Sequence, residues 1–323
     1  MTAKTPLEPI ASRYTGKDIV SLTQFDRPSV ELLFDTITQL KKRVETERML
    51  SLLKKHIVGL FFFEPSSRTF SSFSVAVKRL GGNTLEMQEA GKASSSVKGE
   101  TLEDMGRVME NYLDAIIMRH PEVGSVEKVA RAVSIPVLNA GDGSGEHPTQ
   151  GLMDMFTMLE HRKSLDGIRV LISGDLLYGR TVHSLLFGLS LFSGVRVTLL
   201  SPERLRLPAM LIDTYRSRGI TITEIHSESD IPADCDVWYW TRVQKERFDD
   251  LAEYERIKNA FILTPELVKQ KGSDTLILMH PLPRVGEIEP AVDDDPRAVY
   301  FTRQVKNGMY TRMALLTMVL GAL

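Results

Sequence analysis

The sequence predicts an α/β fold built as two doubly wound domains, each with a mainly parallel sheet flanked by helices, and a C-terminal helix packing back on the first domain. Three observations carry this. The chain has 323 residues, more than one domain usually holds. Short, nearly unbroken apolar runs bounded by turn residues alternate with stretches of helical period, the pattern of strands buried on both faces of a parallel sheet. One such run, Ile57 to Phe63, stops abruptly at Glu64-Pro65-Ser66-Ser67-Arg68-Thr69, where a helical pattern begins.

The elements follow in order. From Arg27-Pro28-Ser29, Val30, Leu33, Phe34, Ile37 and Leu40 share one helical face and lead into the first buried strand. After it, Phe73, Val77 and Leu80 recur at helical spacing until Gly81-Gly82 ends the helix. Strands are expected at Thr84–Met87, Ala115–Met118 and Pro136–Leu138, with helices around Thr101–Asn111 and Ser125–Ala132. A second series begins with a helix marked by Leu152, Met155, Phe156 and Leu159. It continues with strands at Ile168–Ser173, Val195–Leu200, Ile220–Ile225, Val237–Trp240 and Leu276–Met279, and helices at Thr181–Leu191 and Ala209–Arg216. A final helix carries Met309, Met313, Leu316 and Leu320 on one stripe. With no Gly/Ser linker, the boundary is expected to be stiff and near Gly141–Gln150, giving domains 1–149 (with 305–323 returning to it) and 150–304, with a cleft between them as the natural site.

Composition narrows the function. The chain is 42% hydrophobic and 25% charged with a net charge of −2, so counterion release offers no general drive toward nucleic acid. A single cysteine, Cys235, excludes an intrachain disulfide and a cysteine-based zinc cluster, and a reducing cytoplasm is the expected location. The first 18 residues lack an apolar core of the signal-peptide kind, and no run approaches the ~20 apolar residues of a membrane span, so neither export nor membrane insertion is expected. The seven histidines show no H-E-x-x-H or close pairing, so no metal is expected. The serines lack a G-x-S-x-G elbow, and Cys235 lies between two aspartates that disfavour its thiolate.

What stands out is where the polar clusters fall. The turn after the first strand gathers three hydroxyls, a guanidinium and the first N–H groups of a helix, which together suit a dianionic phosphate. An ordinary helix start capped by Ser66 or Ser67 is the plainer alternative. Further clusters follow other strands: Arg119-His120-Pro121, Gly141 through Gln150, Gly174-Asp175 through Gly179-Arg180, Thr241-Arg242-Val243-Gln244, and His280-Pro281-Leu282-Pro283-Arg284. Doubly wound sheets bind ligands beyond the carboxyl ends of their strands. Several guanidinium forks there point to two anionic groups and to chemistry by positioning and charge stabilisation.

These segments resemble a known family. Pro65-Ser66-Ser67-Arg68-Thr69, His147-Pro148-Thr149-Gln150, Gly179 to Leu185, Thr241 to Arg247, His280 to Arg284 and Asn307-Gly308-Met309-Tyr310 are similar, in order and over nearly the whole chain, to the catalytic chains of aspartate carbamoyltransferases. The resemblance implies a carbamoyl-phosphate domain followed by an aspartate domain, synthesis of N-carbamoyl-L-aspartate for pyrimidines, and a homotrimer with shared active sites. It implies no cofactor, and leaves room for regulatory chains or other pyrimidine-pathway enzymes as partners. Position by position, Ser66, Ser67, Arg68 and Thr69 would hold the phosphate, and Arg119 would reach phosphate and carbonyl oxygen. His147 would donate to that oxygen and Gln150 would read the carbamoyl NH2, while Arg180, Arg242 and Gln244 would grip aspartate. The carbonyls of Pro281 and Leu282 would orient its amine, and Ser94 and Lys98 would lie on a loop entering a neighbouring subunit's site. By composition alone that loop reads equally as a flexible linker.

Four positions depart from the family's usual pattern. Ser67 stands for Thr, Phe70 for Arg, Val97 for Lys and Gly286 for an acidic residue, and none removes a group the chemistry needs. Ornithine carbamoyltransferases share the phosphate turn, but they usually carry a cysteine at the position of Pro281 and an S-M-G element absent here. A non-catalytic paralogue is the other alternative. The reaction implied is acyl transfer without a covalent enzyme intermediate. Arg119, neutral His147 and Thr69 would form an oxyanion site, in which one donor is typically worth about 3–4 kcal/mol. Positioning of two substrates would add about 7–11 kcal/mol.

Overall fold

The computed structural model describes residues 13–92, 99–143, 145–248 and 250–322. Two compact units emerge, one of residues 1–152 with 307–323 and one of residues 153–306.

In the first unit, helix α1 (Arg27–Glu47) starts at Asp26, whose carboxylate accepts the Ser29 N–H, with Pro28 in the first turn. Strands β1 (Ile57–Phe62), β2 (Asn83–Gln88), β3 (Ala115–His120) and β4 (Val137–Asp142) form a parallel sheet in the order β2-β1-β3-β4. Helices α2 (Ser67–Arg79), α3 (Leu102–Met109) and α4 (Ser125–Ala132) supply crossovers. Phe61, Ile116, Met118, Val126, Val129 and Val137 form one face's core, each fully buried apolar side chain worth about 1.5–3 kcal/mol. Helix α5 (Pro148–Arg162) begins immediately after His147, so Pro148-Thr149-Gln150 form its first turn. Sequence patterning placed that segment in a connecting stretch.

The second unit holds β5 (Arg169–Ser173), β6 (Arg196–Leu200), β7 (Thr221–Ile225), β8 (Val237–Trp240) and β9 (Ile277–Met279), all parallel, in the order β7-β6-β5-β8-β9. Helices α6 (Arg180–Leu189), α7 (Ala209–Ser217), α8 (Leu251–Ile257) and α9 (Pro265–Lys271) accompany them. Trp238, Trp240, Leu171, Leu278 and Tyr300 anchor its core. Helices α8 and α9, each of 7 residues, are additions to the sequence expectation. They are too short to show a clear helical period. The last helix, α10 (Val305–Val319), returns to the first unit from Asn307 onward. It is buried around nearly its whole circumference, with Met309 and Leu320 of the expected stripe only partly covered.

Candidate functional site

Strand order fixes where ligands can sit. In the first sheet the order reverses between β1 and β3, and in the second between β5 and β8. Each reversal opens a crevice beyond the strand ends. The sequence-selected clusters after β1, β3, β5 and β8 border these two crevices.

At the first crevice, Phe62 pairs with Arg119 across the β1/β3 ladder, and the Phe63 N–H donates to the Arg119 carbonyl at 2.8 Å. The β3/β4 register shifts between Met118 and His120, a local irregularity of the kind that re-aims a side chain at a site. Paired with Phe62, Arg119 lies inside β3 rather than in the turn after it. Its guanidinium is buried, donates from Nη1 to the Ala140 carbonyl at 3.3 Å, and pairs through Nη2 with Glu64 Oε2 at 2.7 Å. Nε is buried without a hydrogen-bond partner among the described residues, a donor that an anion would satisfy. Burial lowers the pKa of Arg119, and Glu64 opposes that shift.

In this unit α2 starts at Ser67, with Ser66 as its N-cap. That N-cap makes no side-chain capping bond, so the plain capping role is not the one its hydroxyl plays. The first N–H groups of any helix lack intrahelical partners, so those at the start of α2 are donors an anion can use. Ser67 and Arg68 are exposed and Thr69 is buried. Thr69 Oγ1 lies 3.5 Å from His147 Nε2, bringing the phosphate turn and the His147 segment together across 78 residues of sequence. His147 and Gln150 are buried. Ser94 and Lys98 lie outside the described residues.

At the second crevice the backbones come closer still. Gly174 has φ +112, and a Cβ there would stand 2.0 Å from the Thr241 carbonyl oxygen, so only glycine lets β5 and β8 end side by side. The Thr241 N–H donates to the Ser173 carbonyl at 2.8 Å, and its hydroxyl accepts the Asp175 N–H at 3.1 Å. Asp175, wholly buried, accepts from the Tyr178 N–H at 2.9 Å and from the Gln244 N–H and side-chain amide at 3.4 Å each. Burial raises its pKa, and these donors work against the shift. Asp175 therefore ties the loop leading to Arg180, the first residue of α6, to the loop carrying Arg242 and Gln244.

After β9, His280 Nδ1 accepts the Leu282 N–H at 2.8 Å, and His280 Nε2 lies 2.7 Å from Glu287 Oε1. Burial pushes the His280 pKa down despite Glu287. A neutral ring bearing its proton on Nε2 fits both contacts. Leu282 adopts φ +55, so this dyad braces a turn whose Pro281 and Leu282 are half-buried.

Arginine-bearing segments border both crevices. The profile of the aspartate/ornithine carbamoyltransferase carbamoyl-P binding domain matches residues 17–160, and that of the Asp/Orn binding domain matches residues 166–319. The chain belongs to the aspartate/ornithine carbamoyltransferase family. Among members of this family, the aspartate carbamoyltransferase catalytic subunit of Methanococcoides burtonii is 46% identical over 305 residues, covering 94% of this chain and 97% of that protein. The multifunctional protein CAD of Squalus acanthias is 45% identical over 308 residues, 95% of this chain and 14% of that protein. The solved aspartate transcarbamoylase of Trypanosoma cruzi, in complex with carbamoyl phosphate and aspartate, superposes with a TM-score of 0.89 at 39% identity over 98% of this chain and 100% of that one.

Beyond the carbamoyltransferase motifs, the structure adds Glu64, Asp175, Glu287 and Arg312 to the groups around the two crevices. Glu64 and Asp175 already stood inside conspicuous polar segments of the sequence. Arg312 left one signal, a guanidinium within the mainly apolar run from Met309 to Val319. The Cys235 thiol is buried and pushed up to about 11 by burial and by Asp234, which keeps it out of nucleophilic chemistry. Among the described residues no group of three or more His, Cys, Asp or Glu could hold a metal ion, and no helix is long and apolar enough to cross a membrane.

Proposed function

We propose that this chain transfers the carbamoyl group of carbamoyl phosphate to the amine of L-aspartate, releasing N-carbamoyl-L-aspartate and phosphate, as a step of pyrimidine biosynthesis. The observation that carries the reading is the placement of arginine-bearing clusters at both topological switch points, one per unit. In the first unit, Ser66, Ser67, Arg68 and Thr69 hold the phosphate at the start of α2. The unmatched Nε of Arg119 and the Nε2 of His147 serve the carbamoyl oxygen, and Gln150 reads the NH2. In the second, Arg180, Arg242 and Gln244 receive the carboxylates of aspartate, and the Pro281 and Leu282 carbonyls hold its amine. Arginines suit a dicarboxylate and repel the cationic side chain of ornithine.

The reaction needs no covalent enzyme intermediate. The amine lone pair attacks the carbamoyl carbon, charge gathers on the carbonyl oxygen, and the carbon–oxygen bond to phosphate breaks. The departing phosphate takes the amine proton. Oxyanion donors held in place before reaction cost no reorganisation when that charge appears. A homotrimer completed by Ser94 and Lys98 from a neighbouring chain belongs to the same proposal, as do pathway enzymes as partners. The proposed location is the cytoplasm, in keeping with a lone thiol and no intrachain disulfide.

The test is a colorimetric assay of ureido product with carbamoyl phosphate and either L-aspartate or L-ornithine. Turnover is expected with aspartate alone. Arg68→Ala is expected to lower it at least about 100-fold without changing the fold, since it removes a charged donor from the site rather than from the core. A variant keeping a tenth of wild-type turnover at saturating carbamoyl phosphate would remove Arg68 from the role given to it.

A further inference from the structure

We propose that Arg312 is a positioning residue that fixes the tautomer of His147 through the hydroxyl of Thr149. The inference rests on the role proposed above for His147 and concerns the first unit alone. Arg312 arrives from the C-terminal helix and is almost fully buried, with 4% of its surface exposed. Its Nη1 donates to Ser72 Oγ on α2 at 2.8 Å, its Nη2 lies 3.3 Å from Thr149 Oγ1, and its guanidinium carbon stands 5.0 Å from the centre of the Phe73 ring. A buried cation so placed links the helix of the phosphate turn to the first turn of α5.

The direction of the hydrogen bonds follows from chemistry. A guanidinium can only donate and does not lose its proton in proteins, so Thr149 Oγ1 must accept from Arg312. Thr149 is fully buried, and its hydroxyl has one other contact among the described residues, His147 Nδ1 at 3.5 Å. As the second residue of α5 it has no preceding helical turn whose carbonyl would take its proton. The hydroxyl proton therefore points to Nδ1, which must accept it. The ring's own proton is then on Nε2, the nitrogen 3.5 Å from Thr69 Oγ1 at the phosphate turn. These 3.5 Å contacts are long, and catalytic hydrogen bonds in ligand-free proteins commonly are, tightening when substrate arrives.

The consequence is a His147 that always presents an N–H toward the carbonyl oxygen of carbamoyl phosphate. A neutral donor–acceptor side chain at position 312 would permit the reversed chain, with Nδ1 protonated and Nε2 turning a lone pair on that oxygen. Arginine disfavours the reversal, because with no lone pair to offer it would leave the buried Thr149 hydroxyl proton without an acceptor. The relay is invisible to sequence periodicity, since 163 residues separate Thr149 from Arg312.

The test reads the ring directly. Protein labelled with 15N-histidine is examined by two-bond 1H–15N correlation near pH 8.5, about two pH steps above an ordinary imidazole pKa, with His147 assigned by the signal lost in His147→Asn. Wild type is expected as the Nε2–H tautomer. Thr149→Val, which removes the hydroxyl at constant volume, and Arg312→Gln are expected to give mixed tautomers. In Thr149→Val, kcat should fall about tenfold while KM for carbamoyl phosphate changes far less, the mark of an interaction realised in the transition state. Thr149→Ser should restore both. If Arg312→Gln fails to fold, Thr149→Val carries the test alone. An Nδ1–H tautomer in the wild type, or an unchanged Nε2–H tautomer in Thr149→Val, would overturn the relay. A shifted tautomer with unchanged kcat would leave the relay standing and remove His147 from the chemistry.

Discussion

Arg119 Nη2 lies 2.7 Å from Glu64 Oε2, so the buried guanidinium at the first crevice already has a carboxylate counter-ion before any ligand arrives. A phosphate bound at Arg119, as proposed, would have to compete with that carboxylate. Glu64 is the more exposed partner, with 38% of its side chain accessible against 9% for Arg119, so it is the one that can swing away.

Glu64→Gln is therefore expected to tighten inorganic phosphate binding about three- to tenfold, because the binding-competent form no longer has to break an ion pair. The ligand-free variant should also melt about 2–4 °C lower, since Arg119 keeps its burial and loses its counter-ion. Calorimetric titration and thermal melts with and without phosphate check both. Weaker phosphate binding would mean that Glu64 supports the site instead of competing for it.

Arg242→Ala is expected to raise KM for aspartate at least tenfold, roughly the loss of one charge-assisted hydrogen bond, with carbamoyl phosphate affinity nearly unchanged. The phosphate cluster and Arg242 belong to different compact units. Equal losses for both ligands, measured by calorimetry and steady-state kinetics, would point to general misfolding.

Asp236 supports the second sheet from beneath. It accepts from Arg169 Nε at 2.9 Å and Nη2 at 2.6 Å and from the Arg169 N–H at 2.9 Å, with Arg162 Nε at 3.1 Å. Burial alone would raise its pKa, but the Arg169 hydrogen bonds and both arginine charges outweigh burial and hold it below the usual value. Its stabilising contribution is full above the unfolded-state pKa of about 3.9 and is lost as pH falls through the lower folded value. Asp236→Asn should cost about 2–3 kcal/mol at pH 7. In urea unfolding the gap from wild type should narrow steadily below about pH 4. A gap independent of pH would mean that packing, not charge, is what Asp236 contributes.

The proposed sharing of active sites between chains predicts complementation. Lys98→Ala and Arg119→Ala chains, each inactive alone, should regain a fraction of wild-type activity after being dissociated and reassociated together, because one interface can then combine an intact Lys98 with an intact Arg119. Absence of recovery despite demonstrated subunit exchange would mean that every site is built within one chain.

The sequence by itself determined the strands, their polar ends and the candidate residues that follow them. Buried parallel strands write themselves as apolar runs, and Arg68, Arg180 and Arg242 are conspicuous because a run stops and charge begins. The family resemblance added roles to those positions. Strand order was not legible, because periodicity says what faces a core and nothing about which strand lies beside which. That order decided which clusters flank a switch point, and it placed Thr241 against Gly174 and Asp175. Local geometry was equally hidden: pairing with Phe62 keeps Arg119 inside β3, and Pro148-Thr149-Gln150, expected in the boundary segment, open a helix. Only tertiary structure could assign partners to the buried charges. Burying Glu287, Asp175 or Arg312 is tolerable only where a complementary group is delivered from elsewhere, and for Arg312 that group comes from a helix start far back in the chain. A hydrophobic pattern records that a position is buried, whereas the hydrogen-bond partner that makes a buried polar group stable is fixed by the fold.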